Sequence, residues 1–156
     1  MNIPFIDTLP SIAITAFGVQ FLCQAIKVII YSIKNKKFSM KYATSPGGMP
    51  SSHSAFVSAL TFSIGFRNGF DSDIFAVALI FSGIVVYDAK KLRGTVEKQS
   101  ILLNRIAGKL YPGEQVKLPE MVGHSFTEVL IGIIIGGFFG ILFTSLLMRL
   151  EPLIRF

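Results

Sequence analysis

Four apolar stretches separated by polar loops dominate the hydropathy pattern of the chain. They run approximately over Ser11–Ile33, Pro50–Phe66, Ile74–Tyr87 and Glu128–Met148. A helix needs about 20 residues to cross the hydrocarbon core of a bilayer, so the first and fourth stretches predict transmembrane helices most clearly. The second is short and rich in Ser, and the third can continue as an amphipathic helix past Asp88. The pattern predicts one domain, residues 1–156, that folds as an all-α bundle of about four transmembrane helices.

The loops between these stretches differ sharply in charge. Eleven of the 15 Lys and Arg lie in the loop between the first two stretches and in the loop between the last two. These basic residues are Lys34, Lys36, Lys37, Lys41, Lys90, Lys91, Arg93, Lys98, Arg105, Lys109 and Lys117. The positive-inside rule therefore predicts an integral membrane protein with both basic loops in the cytoplasm and both termini outside.

Composition agrees with a membrane protein and narrows the partners. Apolar residues make up 51% of the chain, the mean hydropathy is +0.61, and the formal charge is +6. That charge indicates cytoplasmic loops or anionic-lipid contacts rather than nucleic-acid binding, because the basic residues lie between apolar stretches. The single cysteine, Cys23, lies in an apolar stretch and is predicted to be a small packed residue. Carboxylates are few and scattered, so we expect no metal and no cofactor.

Three glycines in the fourth stretch, Gly132, Gly136 and Gly140, are spaced by four. On a helix this spacing makes a stripe where another helix can approach closely. Packing within the bundle is the preferred interpretation, and the seam of a homodimer is the alternative.

The segment Ser45–Ser54, with the sequence SPGGMPSSHS, predicts an anion site. Gly48 frees the backbone and Pro50 suits the first turn of a helix. Ser51 and Ser52 then offer hydroxyls and unpaired N–H groups at the positive end of the helix dipole, with His53 as a proton donor beside them. The alternative is a capped helix start with a histidine at the membrane interface.

Two further segments carry groups suited to phosphate chemistry. His124 and Glu128 are four apart, so on one helix face they can touch, and a carboxylate on one ring nitrogen makes the other more nucleophilic. Their alternative is a structural pair that caps the fourth stretch. Asp88 ends an apolar stretch and can orient Arg93, whose guanidinium can bind phosphate oxygens bidentately.

The basic residues around these groups are more ambiguous. Lys90 and Lys91 fit a plain cytoplasmic flank better than a phosphate site. Lys27 either extends to the membrane surface, which is the default for such a lysine, or reaches a phosphate with Gln24 on a nearby face. Gln99 and Asn104 are candidate polar partners only.

Together, Gly47–Ala55 (GGMPSSHSA), Tyr87–Ala89 with the later Arg93, and Gly123–Val129 (GHSFTEV) resemble the divergent PAP2 family. This family is related to acid phosphatases and vanadium-dependent haloperoxidases. Ser52 replaces the glycine of the wider superfamily's P-S-G-H motif, and Glu128 replaces the aspartate that follows its nucleophilic histidine. Leu118 stands six residues before His124, where the superfamily usually has arginine.

The resemblance implies a metal-independent lipid phosphatase acting through a phosphohistidine. In that interpretation His124 attacks phosphorus, Glu128 orients it, and His53 protonates the leaving oxygen. The phosphate-binding residues would be Arg93, Lys27, Ser51, Ser52, Gly48 and Asp88. The expected substrate is a lipid phosphomonoester or pyrophosphate of the inner leaflet, for example phosphatidylglycerophosphate. The alternative is a non-catalytic anionic-lipid binder, scaffold or transporter subunit that keeps the fold, while haloperoxidase chemistry suits a lipid site less well.

Overall fold

The computed structural model describes residues 11–38, 40, 48–111, 118–120 and 123–154, the last four of these as backbone only. Its elements are α1 (Ser11–Asn35), α2 (Ser52–Asn68), α3 (Asp73–Tyr87), a π-helical turn (Asp88–Leu92), α4 (Arg93–Leu110) and α5 (Phe126–Ile154). The described ranges contain no strand, and the predicted all-α class is confirmed.

Within the described ranges, two helices are long and apolar enough to cross a membrane by themselves, Ser11–Asn35 and Phe126–Leu150. Helices α2 and α3 have 17 and 15 residues, short of the roughly 20 that a bilayer requires. Helix α3 does not stop at its last residue, because the π turn leads directly into α4. The predicted amphipathic continuation past Asp88 is therefore confirmed.

Helix α2 is the central helix, and it packs against α1, α3 and α5. Its buried residues are almost all Ser, Ala or Thr, which lets neighbouring backbones come close. The three spaced glycines of α5 face this surface. A β-carbon at Gly132, Gly136 or Gly140 would overlap the carbonyl oxygen of Ser51, Ala55 or Ala59, respectively. The stripe is therefore used inside the bundle, as preferred, and not as a dimer seam.

Buried hydroxyl groups where α2 contacts α3 and α5 are hydrogen-bonded. Thr61 Oγ1 donates to the Val57 carbonyl at 2.9 Å, Ser82 Oγ donates to the same carbonyl at 3.0 Å, and Ser63 Oγ donates to the Gly140 carbonyl at 3.2 Å. Such bonds matter here because a buried hydroxyl without a partner is costly in an apolar environment. Cys23 is fully buried in the core beside Val19, as predicted.

Contacts between the helices fix which ends lie together. Arg67, in the last turn of α2, donates to the hydroxyl of Ser11 at the start of α1. The hydroxyls of Thr15 and Thr144 are 3.5 Å apart, so the later part of α5 also lies at this end. The start of α2, the π turn and the segment before α5 therefore share the opposite end of the bundle, which is called the site end below.

Candidate active site

Helix α2 begins at the site end with a serine cap. Ser51 is the N-cap, and its hydroxyl accepts hydrogen bonds from the Ser54 amide at 3.4 Å and the Ser54 hydroxyl at 3.0 Å. Pro50 precedes this cap, so the prediction that it occupies the first helical turn is wrong. The Ser51 amide donates to the carbonyl of Glu128 at 3.1 Å, so it is not open to an anion as we expected. The bond instead joins the start of α2 to the start of α5.

Helix α5 begins with a capping box that also positions His124. The Ser125 hydroxyl accepts from the Glu128 amide at 3.3 Å, and Glu128 Oε2 accepts from the Ser125 amide at 3.1 Å. The same Oε2 lies 3.0 Å from His124 Nδ1. The predicted pair is confirmed, but it does not arise from a shared helical face, because His124 precedes the helix. The carboxylate predicted to orient His124 is therefore the same one that caps α5.

The environment of His124 suits a neutral ring with a nucleophilic nitrogen. Its side chain is fully buried, and burial lowers the pKa of His124 below its usual 6.5, outweighing the carboxylate of Glu128, which raises it. A neutral ring that donates from Nδ1 to Glu128 leaves a lone pair on Nε2. That Nε2 atom is buried and has no hydrogen-bond partner among the described residues.

The π turn brings the third predicted segment to the same place. Arg93 Nε lies 3.5 Å from Asp88 Oδ2, which confirms the predicted pair, and the Arg93 amide bonds to the Asp88 carbonyl across the turn. The carbonyl of Ala89 accepts from the His124 amide at 3.3 Å. π-Helical turns often mark functional sites, and here the extra residue ties the arginine segment to the His124 segment.

Glu97 is a site-end residue that the sequence analysis missed. Its Oε2 accepts from the Gly123 amide at 2.9 Å, directly before His124. A β-carbon at Gly123 would also lie 2.8 Å from the Cα of Gly94, so α4 and the His124 segment are in close contact. An available signal was that Glu97 and Asp88 are the acidic residues within an otherwise basic segment.

Lys27 is directed into the protein and not to the membrane surface. It is 1% exposed, which rules out the default interpretation for this residue. It lies close enough to interact electrostatically with Glu128 and with both histidine rings. A lysine buried within a membrane-spanning helix, near a carboxylate and imidazole groups, is a candidate functional residue.

The two histidine rings lie close together at the site end. Their centroids are 6.4 Å apart, with the planes at 59°. His53 Nδ1 and Gln24 Oε1, like His124 Nε2, are buried atoms with no hydrogen-bond partner among the described residues. Ser32 Oγ on α1 is a fourth such atom among the described residues. Buried polar atoms are normally satisfied, so the two ring nitrogens are candidate contacts for a polar ligand.

The remaining predicted residues divide into three groups. Ser52 is buried at the start of α2, and Gly48 is buried with a positive φ of 95°, its α-carbon close against the ring of Tyr31. Lys90 and Lys91 are exposed, as their flank interpretation predicted, and Lys90 lies over the ring of Phe126.

The polar partners considered for α4 lie away from the histidines. Asn104 holds Leu118 by two hydrogen bonds, at 2.9 and 3.0 Å, and Gln99 is exposed. Lys117 lies outside the described residues. Within those residues no group of three or more His, Cys, Asp or Glu could hold a metal ion.

Comparison with known proteins agrees with this arrangement. The sequence profile described as "Divergent PAP2 family" matches residues 10–139, which include every site-end residue described above. The chain belongs to this family. It is also 35% identical, over 94% of each chain, to a protein of Bacillus subtilis (strain 168) named "Uncharacterized membrane protein YuiD". No solved structure matches the chain.

Membership in the divergent PAP2 family agrees with an all-α membrane bundle. The resemblance drawn from Gly47–Ala55, Tyr87–Arg93 and Gly123–Val129 is confirmed at the level of the family. The three segments lie far apart in sequence, and the structure brings them into direct contact through Ser51, Ala89 and Glu128.

Proposed function

We propose that the chain is a membrane lipid phosphatase that hydrolyses a phosphomonoester or pyrophosphate through a phosphohistidine at His124. The observation that carries the proposal is the pair of histidine rings with centroids 6.4 Å apart, each with a buried nitrogen that lacks a described partner, one ring being held by Glu128. Reacting atoms in a productive complex are about 3–3.5 Å apart, and rings with centroids 6.4 Å apart are close enough for both to reach one phosphoryl group.

The first step forms one bond and breaks another at phosphorus. His124 Nε2 attacks phosphorus with its lone pair while the bond from phosphorus to the lipid oxygen breaks. His53 donates a proton to that leaving oxygen, which departs as the lipid alcohol or, from a pyrophosphate, as the lipid monophosphate.

The second step regenerates the enzyme. A water molecule attacks the phosphohistidine, and the now unprotonated His53 accepts a proton from it. The nitrogen–phosphorus bond breaks, its electron pair returns to His124 Nε2, and inorganic phosphate is released. His53 ends the cycle protonated as it began.

The cations at the site end suit the charge that develops in both steps. The equatorial phosphoryl oxygens carry negative charge in the transition state, which fixed cations stabilise. Arg93 is paired with Asp88. Lys27 is buried and interacts electrostatically with Glu128, whose carboxylate also contacts His124. In this proposal Arg93 and Lys27 take the role of the arginine that Leu118 replaces.

The charge of the loops indicates on which side of the membrane the substrate lies. The basic loops emerge at the site end, so the positive-inside rule favours a cytoplasmic site and an inner-leaflet substrate. Phosphatidylglycerophosphate, a phosphatidate and a polyprenyl phosphate all present the required group on a membrane-bound lipid. A reporter fused after Arg67 tests this orientation and is expected outside the cytoplasm.

The first experiment measures phosphate release by the purified chain in detergent, with EDTA, from a panel of these lipids. The wild type is expected to act on one class and to be inhibited by vanadate, which mimics five-coordinate phosphorus. His124→Ala is expected to lose at least about 1,000-fold in kcat/KM and to form no acid-labile phosphoprotein, whereas exposed Gln99→Ala keeps both. Full activity of His124→Ala would refute the proposed nucleophile.

The second experiment separates the roles of the histidines. With a lipid substrate, His53→Ala is expected to lose roughly 100- to 10,000-fold, because an alkoxide leaves poorly without a proton. With p-nitrophenyl phosphate, whose leaving group needs no proton, the loss is expected to shrink greatly. His124→Ala gains nothing from this substrate, and equal losses for His53→Ala on both substrates would exclude it as the acid.

The rival function is a non-catalytic anionic-lipid binder. Leu118 in place of the superfamily's arginine favours it, since a binder does not need the full transition-state clamp. This rival predicts no phosphate release from any lipid and unchanged lipid binding in both histidine variants.

A further inference from the structure

Helix α4 and the turn before it present an apolar stripe that no described part of the chain covers. The stripe consists of Leu92, Val96, Leu103, Ile106 and Leu110. Their spacing of three, four or seven places them on one helical face. Each is between 40% and 65% exposed, and the single buried residue in α4 is Ser100.

Basic side chains border this stripe on one side. Lys98, Arg105 and Lys109 are exposed and share a neighbouring face of the helix. The opposite face is polar and engaged with the protein, since Glu97 accepts from Gly123 and Asn104 binds Leu118. The helix therefore has an apolar face, a cationic border and a polar face that holds the segment leading to His124.

The stripe also continues the apolar surface of α3. Ile80, Ile84 and Tyr87 are 62% to 66% exposed on α3, immediately before the turn that leads to Leu92. If this face of α3 contacts acyl chains, the stripe of α4 is the adjacent apolar surface. Helix α4 itself is too charged to cross a bilayer, so its apolar face requires an interface.

We infer that α4 lies in the head-group region of an anionic bilayer, with the stripe among the acyl chains and the basic border on lipid phosphates. An amphipathic helix with Lys and Arg beside its apolar face binds such a surface through both apolar burial and charge. This surface lies on the opposite side of α4 from the histidines, and the inference holds whether or not the chain is a phosphatase.

The chain contains no Trp, so one introduced Trp reports a single position without background. Leu103→Trp probes the stripe, and Gly108→Trp is the matched control, because Gly108 is exposed on the far side of α4 with open space around its α-carbon. Both variants of the full chain are reconstituted in vesicles of phosphatidylcholine and phosphatidylglycerol. We expect Leu103→Trp to emit at shorter wavelength, to be quenched by brominated acyl chains, and to resist acrylamide. Gly108→Trp is expected to show the reverse.

The anionic preference is tested with the same fluorophore. Brominated phosphatidylglycerol is expected to quench Leu103→Trp several-fold more than brominated phosphatidylcholine at equal mole fraction. Changing Lys98, Arg105 and Lys109 to Gln is expected to abolish that excess, and high salt to reduce it.

Three results would overturn the inference. Equal acrylamide quenching at both positions would place the stripe in water. Protection of Leu103→Trp from both acrylamide and brominated lipid would show that a second copy of the chain covers it. Equal quenching by the two brominated lipids would remove the anionic surface as the partner.

Discussion

The interface between α2 and α5 has two regions that differ in whether their buried polar groups are hydrogen-bonded. Along its middle, Gly136 and Gly140 bring the two backbones together, and Ser63 donates to the Gly140 carbonyl. At the site end the same two helices meet through the Ser51 amide and the Glu128 carbonyl, but His53 and His124 each keep a buried nitrogen without a described partner.

The difference separates stability from chemistry. Buried polar atoms that lack partners cost roughly 1–3 kcal/mol each, so a site end built this way must be stabilised elsewhere. The glycine region supplies close backbone packing and satisfied hydroxyls one to three turns away on the same helices. Substitutions in the middle are expected to act on folding, and substitutions at the site end on activity.

The largest effect is expected from substitutions of Gly136, which would disrupt the close packing of α2 and α5 in the middle region. A β-carbon there overlaps the Ala55 carbonyl, and that atom belongs to a helix backbone that cannot move aside locally. We expect Gly136→Ala to lower the free energy of unfolding by about 1–3 kcal/mol and Gly136→Leu to prevent folding. The measurement is thermal or denaturant unfolding in detergent. Gly83→Ala, which has open space for a β-carbon on α3, is the control and should not destabilise the protein, since Ala is up to about 1 kcal/mol more favourable than Gly in a helix interior.

A smaller effect, confined to activity, is expected from Arg93→Lys at the site end. The change keeps the charge but loses the planar fork that binds two phosphate oxygens, so kcat/KM is expected to fall about tenfold. Exposed Lys91→Gln should leave both activity and stability unchanged. If Arg93→Lys instead unfolds the protein while remaining fully active when folded, Arg93 serves the fold and not the phosphate.

The smallest effect expected at the site end is the pH dependence of kcat/KM that follows from the ionisation of His124. Burial, with Lys27 and Arg93 nearby, lowers the pKa of His124 below 6.5. The neutral nucleophile therefore persists at mildly acidic pH, and the acid limb of kcat/KM is expected below pH 6.5, after correction for the substrate's own ionisation at about pH 6.

The stability of the fold should follow the same ionisation with a definite sign. The folded pKa lies below the unfolded value, so the unfolded chain binds the proton first as the pH drops, and protonation favours unfolding below pH 6.5. The thermal midpoint of wild type and of His124→Ala, measured between pH 7.5 and 5, checks this. An acid limb of activity above pH 6.5, or no difference between the two proteins, would contradict a lowered pKa.

Much of the fold could be predicted because it rests on local pattern. The length and hydropathy of α1 and α5 identify them as spans, and the glycine spacing in α5 identifies its contact face. The pairs Asp88–Arg93 and His124–Glu128 were also within reach, because residues four or five apart can meet in any compact helical geometry.

The geometry that produces some of those contacts could not be predicted from the sequence. His124 touches Glu128 through a capping box and not along a helix, since α5 begins only at Phe126. Asp88 meets Arg93 across a π turn, and an inserted residue of that kind leaves no reliable signal in hydropathy. Glu97 was missed because its partner is the backbone amide of a glycine 26 residues later.

By itself, then, the sequence determined the helices, the basic end and the family-type residues, since each depends on composition and short-range spacing. Only the tertiary structure decided that Lys27 is directed inward, that the Ser51 amide donates to the Glu128 carbonyl, and that the two histidine rings lie close together. Those outcomes depend on how closely α1, α2 and α5 approach and at what height they meet. Small residues distributed over separate helices set that approach jointly, and no single segment encodes it.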